Sequence, residues 1–367
     1  IEGQETRIVV EAPVAPDFQE VSILPQSGSA MWDVTIGDPG FDGQFAIKGP
    51  RRQVFALLDA DTRGRMRAVN AAGRLEISPG RILAIVGTDR VSDALPSLLA
   101  IRKRLATPID VRRSLVENAR RDSESGVRLE NLLVLIQELP GDPATVEALR
   151  AACSDRLPTI RLRAAKELGA AESRDVLLEL ANGLEDDAWS AEAVSILDRE
   201  LPVERVKALL DRAWSTGRLQ TALACVEVLG HSGAAAVEPL SELLALQNAE
   251  LAAAAATALG ATDSPAAEPW LIPALQSEHE VLRVAAAKAL RRVGSVAAVL
   301  PLKEAHERSS WLDIDFRQVT RQAMAEIQSR VQGGSPGQLS LTEEAGQLSL
   351  AEDPAGQLSL PPEERPD

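Results

Sequence analysis

Few side chains in this sequence stand where they could make or break a covalent bond. Gly333-Gly334-Ser335-Pro336-Gly337 matches the G-x-S-x-G pattern that exposes a nucleophilic serine on a strand-to-helix turn. No strand-like run precedes it, and glycine, proline and acids surround it, so the match is formal only. His231, His279 and His306 are isolated, whereas a metal site needs ligands at short helical or turn spacing; they read as surface or capping residues. Asp38 and Asp42 share the loop Gly37-Asp38-Pro39-Gly40-Phe41-Asp42, but calcium takes about six or more oxygens, and a turn is the better reading. Cys153 and Cys225 form no C-x-x-C pair and read as buried thiols. H-E-x-x-H, a phosphate-binding loop and the kinase motif set are all missing from the sequence. The expectation is a non-enzyme with no catalytic residue, no metal and no cofactor.

What remains is binding chemistry, and it depends on the elements that present the side chains. An alanine-rich phrase recurs along the chain: IRLRAAKELG at 160–169, LAAAAATALG at 251–260 and LRVAAAKAL at 282–290, with degenerate copies WSAEAVSILD at 189–198 and TALACVEVLG at 221–230. The anchoring leucines Leu168, Leu197, Leu229, Leu259 and Leu290 stand 29 to 32 residues apart. A period of this length marks stacked helical hairpins, each too small to bury its own apolar face. A shorter apolar helix precedes each phrase (SRDVLLELANGL, VERVKALLDRAW, AVEPLSELLAL, AAEPWLIPALQ), so each unit is a first helix, a turn and a second helix. Gly169, Gly230 and Gly260 follow the leucine and are expected to end the second helix in the left-handed conformation.

The V-R-x-x-A-A-x-A-L-G pattern resembles the short HEAT-like repeat common in bacteria, over about 124–331. The resemblance implies an α-solenoid. It leaves function open, because similar repeats serve adaptors, chromophore lyases and some DNA-repair enzymes. In such stacks the second helices line the concave face, which is the default binding surface. The position after the first apolar residue of each phrase carries Arg161, Ser190, Ala222, Ala252 and Arg283, and Lys166, Lys288 and Arg291 add charge to the same helices. Trp189, Trp214, Trp270 and Trp311 are spread through the repeats, where large aromatics either pack in the core or anchor a partner. The candidate partner-binding residues are therefore Arg161, Lys166, Trp189, Ser190, Arg283, Lys288 and Arg291.

The N-terminal residues differ. β-rich runs at 7–11, 20–24, 32–36 and 44–48 alternate with turn residues, two helical stretches follow, and GRLEIS-PG-RILAIVG closes the segment as a hairpin. This part resembles an uncharacterised module that precedes HEAT-like repeats in some bacterial proteins of myxobacterial type. In those proteins more chain lies upstream, sometimes spanning a membrane, so an upstream anchor fits the abrupt start at Ile1. Residues 91–122 read as a helical bridge carrying Arg102, Lys103, Arg104, Arg112, Arg113, Arg120 and Arg121, with Arg128 just beyond. Arg113, Glu117 and Arg121 lie four residues apart, which makes pairing along a solvated helix the plainer reading than an anion site.

After Val331 the helical pattern stops. GQLSL then occurs three times among acids, glycines and prolines, so the tail is expected to be disordered. One reading is slippage-generated low complexity with no role; the other is a linear motif, formed by Gln338, Leu339 and Leu341, Gln347, Leu348 and Leu350, and Gln357, Leu358 and Leu360, whose copies gain strength by avidity. Gln-Leu-Ser-Leu is similar to the core of peptides that bind the bacterial DNA sliding clamp, with Thr342, Ala351 and Pro361 where an aromatic residue is expected.

The sequence thus describes a mainly α chain in four parts: a small α+β domain at 1–90, the bridge at 91–122, a HEAT-like α-solenoid at 123–331 and the acidic tail at 332–367. A net charge of −15 argues against nucleic acid as a partner, and no apolar run is long enough to span a membrane. The reading is a cytoplasmic scaffold or adaptor for a protein or peptide. The alternative is an enzyme of the HEAT-like DNA glycosylase or bilin-lyase type.

Overall fold

The structure is a computed structural model that describes residues 5–11, 14–26, 33–183, 186–198, 201–332, 339–341 and 348–350. It divides into two compact units, residues 1–176 and 177–367. Among the described residues no helix is long and apolar enough to cross a membrane.

The first unit opens with β1 (Glu5–Glu11), β2 (Ser22–Pro25), α1 (Pro39–Asp42), β3 (Phe45–Lys48), α2 (Arg51–Leu57), α3 (Ala60–Ala71), β4 (Gly73–Ser78) and β5 (Arg81–Gly87). The strands form one antiparallel sheet in the order β1-β5-β4-β2-β3. Alternation sets its buried face: Leu75 and Ile77 of β4 and Ile82, Ala84 and Val86 of β5 point inward. The run at 32–36 is not a strand within its described residues. Only Val34 reaches the sheet, through its N–H to the Ile47 carbonyl at 2.8 Å. The N–H groups of Ile36 and Gly37 turn instead to the Asp42 carboxylate, 3.1 Å from each. Asp38 caps α1 by accepting from the Phe41 N–H at 3.0 Å, so both acids of this loop serve the turn.

Five helices complete this unit: α4 (Val91–Ala106), α5 (Val111–Arg121), α6 (Ser125–Glu138), α7 (Pro143–Ala152) and α8 (Pro158–Leu168). Asp110 caps α5 by accepting from the Arg113 N–H at 3.0 Å. One hydrophobic core runs from Phe18, Phe45 and Phe55 through Leu98, Leu115 and Leu135 to Ala164. Inside it lies a chain of charges. The Arg63 side chain is 1% exposed; its Nε donates to Asp38 at 2.9 Å, its Nη1 and Nη2 to the two Asp122 oxygens at 2.8 Å, and Nη1 also to the Leu58 carbonyl. Arg128 donates to the Asp122 carbonyl and grips both oxygens of Asp155 at 2.8 and 2.9 Å. Burial alone would pull the Arg63 guanidinium down, and its two carboxylates outweigh that and raise it. Burial would likewise raise Asp155, but the Arg128 hydrogen bond and the Leu157 N–H hold it below the usual carboxylate range.

The second unit begins within α9 (Ala170–Asn182) and continues through α10 (Asp187–Leu197), α11 (Val203–Ser215), α12 (Leu219–Gly230), α13 (Val237–Leu243), α14 (Ala249–Ala261), α15 (Glu268–Ala274), α16 (Glu280–Val293), α17 (Val299–Arg308) and α18 (Ile314–Gln332). The even-numbered second helices pack side by side in chain order, and α11, α13, α15 and α17 each pack on the second helix that follows. Small residues permit the close approach. Ala255, Ala256, Ala286 and Ala287 are fully buried, and a Cβ on Gly260 would lie 2.8 Å from both the Cα and the Cβ of Ala289. Gly230 stands in the same relation to Ala258, with a Cβ placed 3.1 Å away. Both glycines lie within their helices, so they are contact residues and not left-handed caps; Gly169, at φ +79°, does end its helix as expected. Beyond α18, β6 (Leu339–Leu341) and β7 (Leu348–Leu350) pair antiparallel, Leu339 opposite Leu350 and Leu341 opposite Leu348. Gln338, Gln347, Gln357, Leu358, Leu360 and the Gly333–Gly337 stretch lie outside the described residues.

Gly260→Ala forces the α14–α16 contact apart and should cost about 1–3 kcal/mol in urea unfolding. Gly64→Ala, where α3 faces open space, should instead stabilise by up to about 1 kcal/mol. Because the folded pKa of Asp155 is depressed, its contribution is present above the ordinary aspartate pKa of about 4 and is lost as pH falls through the folded value. The melting-temperature gap between wild type and Asp155→Asn should therefore be wide at pH 7 and close progressively as pH falls from about 4 through the folded value.

Candidate peptide-binding groove

Helix register decides which side chains face outward from the second-helix layer. Leu251 of α14, Leu282 of α16 and Phe316 of α18 are the first buried apolar residues of their helices. Counting two and three residues onward gives Ala253 and Ala254, Val284 and Ala285, and Gln318 and Val319. These six residues line one open groove of about 670 Å³, together with Thr257 and Lys288 at the sixth position after the first apolar residue. Val281, 57% exposed, extends the apolar floor. Glu280 and Asp315, in the first turns of α16 and α18, stand at one end. Lys288 lies eight residues along α16 from Glu280, about 12 Å at helical rise. It is exposed and makes no ion pair among the described residues. The groove therefore has small apolar side chains in the middle, carboxylates at one end and an uncompensated amine toward the other.

Capping across hairpins holds this layer in register. Asp187, at the start of α10, accepts from the Gln220 and Thr221 N–H groups at 2.8 and 3.0 Å and from the Thr221 hydroxyl at 2.6 Å. These bonds overcome its burial and keep it below the usual carboxylate range. Glu268 of α15 accepts from the N–H and hydroxyl of Ser295 in the following hairpin at 3.1 and 3.0 Å.

The position expected to bind a partner is one residue out of register with this groove. Ser190 is buried and its hydroxyl donates to the Leu180 and Gly183 carbonyls; Ala222 and Ala252 are fully buried. Arg161 donates to the Asp155 and Arg156 carbonyls, and Arg283 to those of Ser277 and Glu278. Arg283 also pairs with Asp313 at 3.3 Å and stacks over Phe316. Both arginines thus fasten the turn that precedes their own helix. One residue along a helix is about 100° of rotation, which is why this slot faces the turn and the next face is open. Of the remaining candidates, Lys288 lines the groove, Arg291 pairs with Glu326 at 3.5 Å, Trp189 is half-buried and Lys166 is exposed on α8 in the first unit. The groove alanines and valines escaped notice because small apolar residues read as core; their shared offsets of two, three and six were the available signal.

Other reactive residue types are accounted for by packing and local bonds. Cys225 is fully buried in α12 and burial pushes its thiol up to about 12. His231 bonds Asp198 and His306 bonds Thr320. No group of three or more His, Cys, Asp or Glu side chains among the described residues could hold a metal ion.

Residues 237–325, which include α13 to α17 and the groove-lining part of α18, match the family model for HEAT repeats. This stretch is built of HEAT-like repeats. A human deoxyhypusine hydroxylase bound to glycerol is similar over 59% of this chain and 96% of its own, at 16% identity and a TM-score of 0.26. An engineered protein is similar over 60% of this chain and 90% of its own, at 19% identity and a TM-score of 0.25. Neither likeness carries an argument about activity. Comparison with curated proteins gives no match.

Because Arg283 fastens the α15–α16 turn of its HEAT repeat, Arg283→Ala should lower stability by about 1–3 kcal/mol. Denaturant unfolding measures the loss, and binding of any groove ligand to the folded variant should be unchanged.

Proposed function

We propose that the chain is a non-enzymatic interaction scaffold whose partner is an extended peptide seated in the second-helix groove. The single observation that supports this reading is the groove itself, open and about 670 Å³, with an alanine and valine floor between opposite charges. Small floor residues leave room for the partner's apolar side chains rather than filling the space with the protein's own. In an extended segment, residues two apart face the same way and span about 7 Å, so an apolar pair fits the floor between the charged ends. A basic group of the peptide meets Glu280 and Asp315, and an acidic group meets Lys288. The repeated GQLSL stretch is a second, auxiliary contact, its three tethered copies raising effective concentration. The net charge of −15 favours a protein ligand over a phosphate backbone.

Peptides selected against the purified chain from a random library should carry an apolar pair followed by an acid. Lys288→Glu should weaken the selected peptide about tenfold, and replacing its acid by lysine should restore binding to that variant. Affinity that ignores both changes would place the ligand elsewhere.

A further inference from the structure

A second cavity lies in the first unit, where the ends of α5 and α7 meet the turn before α8. It encloses about 390 Å³, and Arg121, Asp122, Arg128, Ser154, Asp155 and Arg156 are among its lining residues. Its acids are already neutralised. Both Asp122 oxygens accept from Arg63 in the core, one of them also from the Glu124 N–H, and Asp155 is held by both arms of Arg128. Of its rim cations, Arg120 pairs with Glu147 at 3.0 Å, but two others are left over. The sequence pattern pairs Glu117 with Arg121, but Glu117 turns to Arg113 at 3.4 Å. Among the described residues neither Arg121 nor Arg156 has a carboxylate within ion-pair distance, and both are exposed. Arg156 does feel the field of Asp155, yet that carboxylate's oxygens are occupied by Arg128 and the Leu157 N–H.

We infer that this cavity binds a phosphate monoester, with the guanidiniums of Arg121 and Arg156 as its two charge partners. Two uncompensated positive charges match a dianion, and the planar guanidinium fork matches phosphate oxygens better than an ammonium would. Arg128, 4% exposed and fixed by four hydrogen bonds, gives the base of the cavity a rigid frame. The Ser154 hydroxyl, on the same lining, supplies a further donor. The volume exceeds what a bare phosphate fills and leaves space for the group that carries it. Either a phosphorylated side chain or a small phosphorylated metabolite offers this chemistry.

The test titrates inorganic phosphate into the full chain and follows the arginine Nε–H resonances. Saturable binding that falls at least tenfold in the Arg121→Ala/Arg156→Ala double variant, with melting temperature unchanged, is the expected result. Arg65→Ala, which removes an exposed arginine paired with Asp61, should bind as wild type does. Tighter binding of a phosphoserine peptide than of glucose 6-phosphate assigns the source as a protein, and the reverse order assigns a metabolite. Failure to saturate, or binding that the double variant leaves intact, overturns the inference.

Discussion

The separation between neighbouring second helices is the constraint on which the HEAT-like unit depends. It is set where side chains are smallest: Gly260 lies against Ala289, and Gly230 against Ala258. Larger residues there would spread the helices and alter the spacing of the groove walls. The same economy of side-chain volume that closes the core on one side leaves Ala253, Ala254 and Ala285 as a shallow open floor on the other. The packed core and the open groove are therefore two faces of one compositional choice, alanine in the second helix.

Arginine plays a structural part in both units, and this changes how the charge pattern should be read. Arg63 and Arg128 organise the buried carboxylates of the first unit, while Arg161, Arg218, Arg283 and Arg317 donate to carbonyls near helix ends. A guanidinium can satisfy several acceptors in one plane, so it closes turns that would otherwise bury unpaired carbonyls. Lys288, Arg121 and Arg156 are not consumed in this way, and each stands on the lining of a cavity.

The repeats were legible because their signal is local and recurrent: Leu197, Leu229, Leu259 and Leu290 are all fully buried, as the register required. The exact outward face was not legible. Arg161 and Arg283 look like surface charge in sequence, and only the path of the preceding turn shows that they point into it. Glycine after leucine was ambiguous for a related reason, since the residue type suits both a left-handed cap and a close helix contact; Gly169 is the first and Gly260 the second. The charge network of the first unit left no trace in the sequence pattern. Arg63 and Asp122 are 59 residues apart, and nothing in their neighbourhoods marks them as partners.

The central claim is that ligands meet the second-helix face and not the outer first helices. A photoreactive side chain placed at Thr257, within the groove, tests it directly when compared with one at Trp270 on α15, which is 51% exposed. The account predicts that a library-selected peptide crosslinks at Thr257 and not at Trp270. Crosslinking confined to Trp270 would contradict it and move the binding surface to the outer layer.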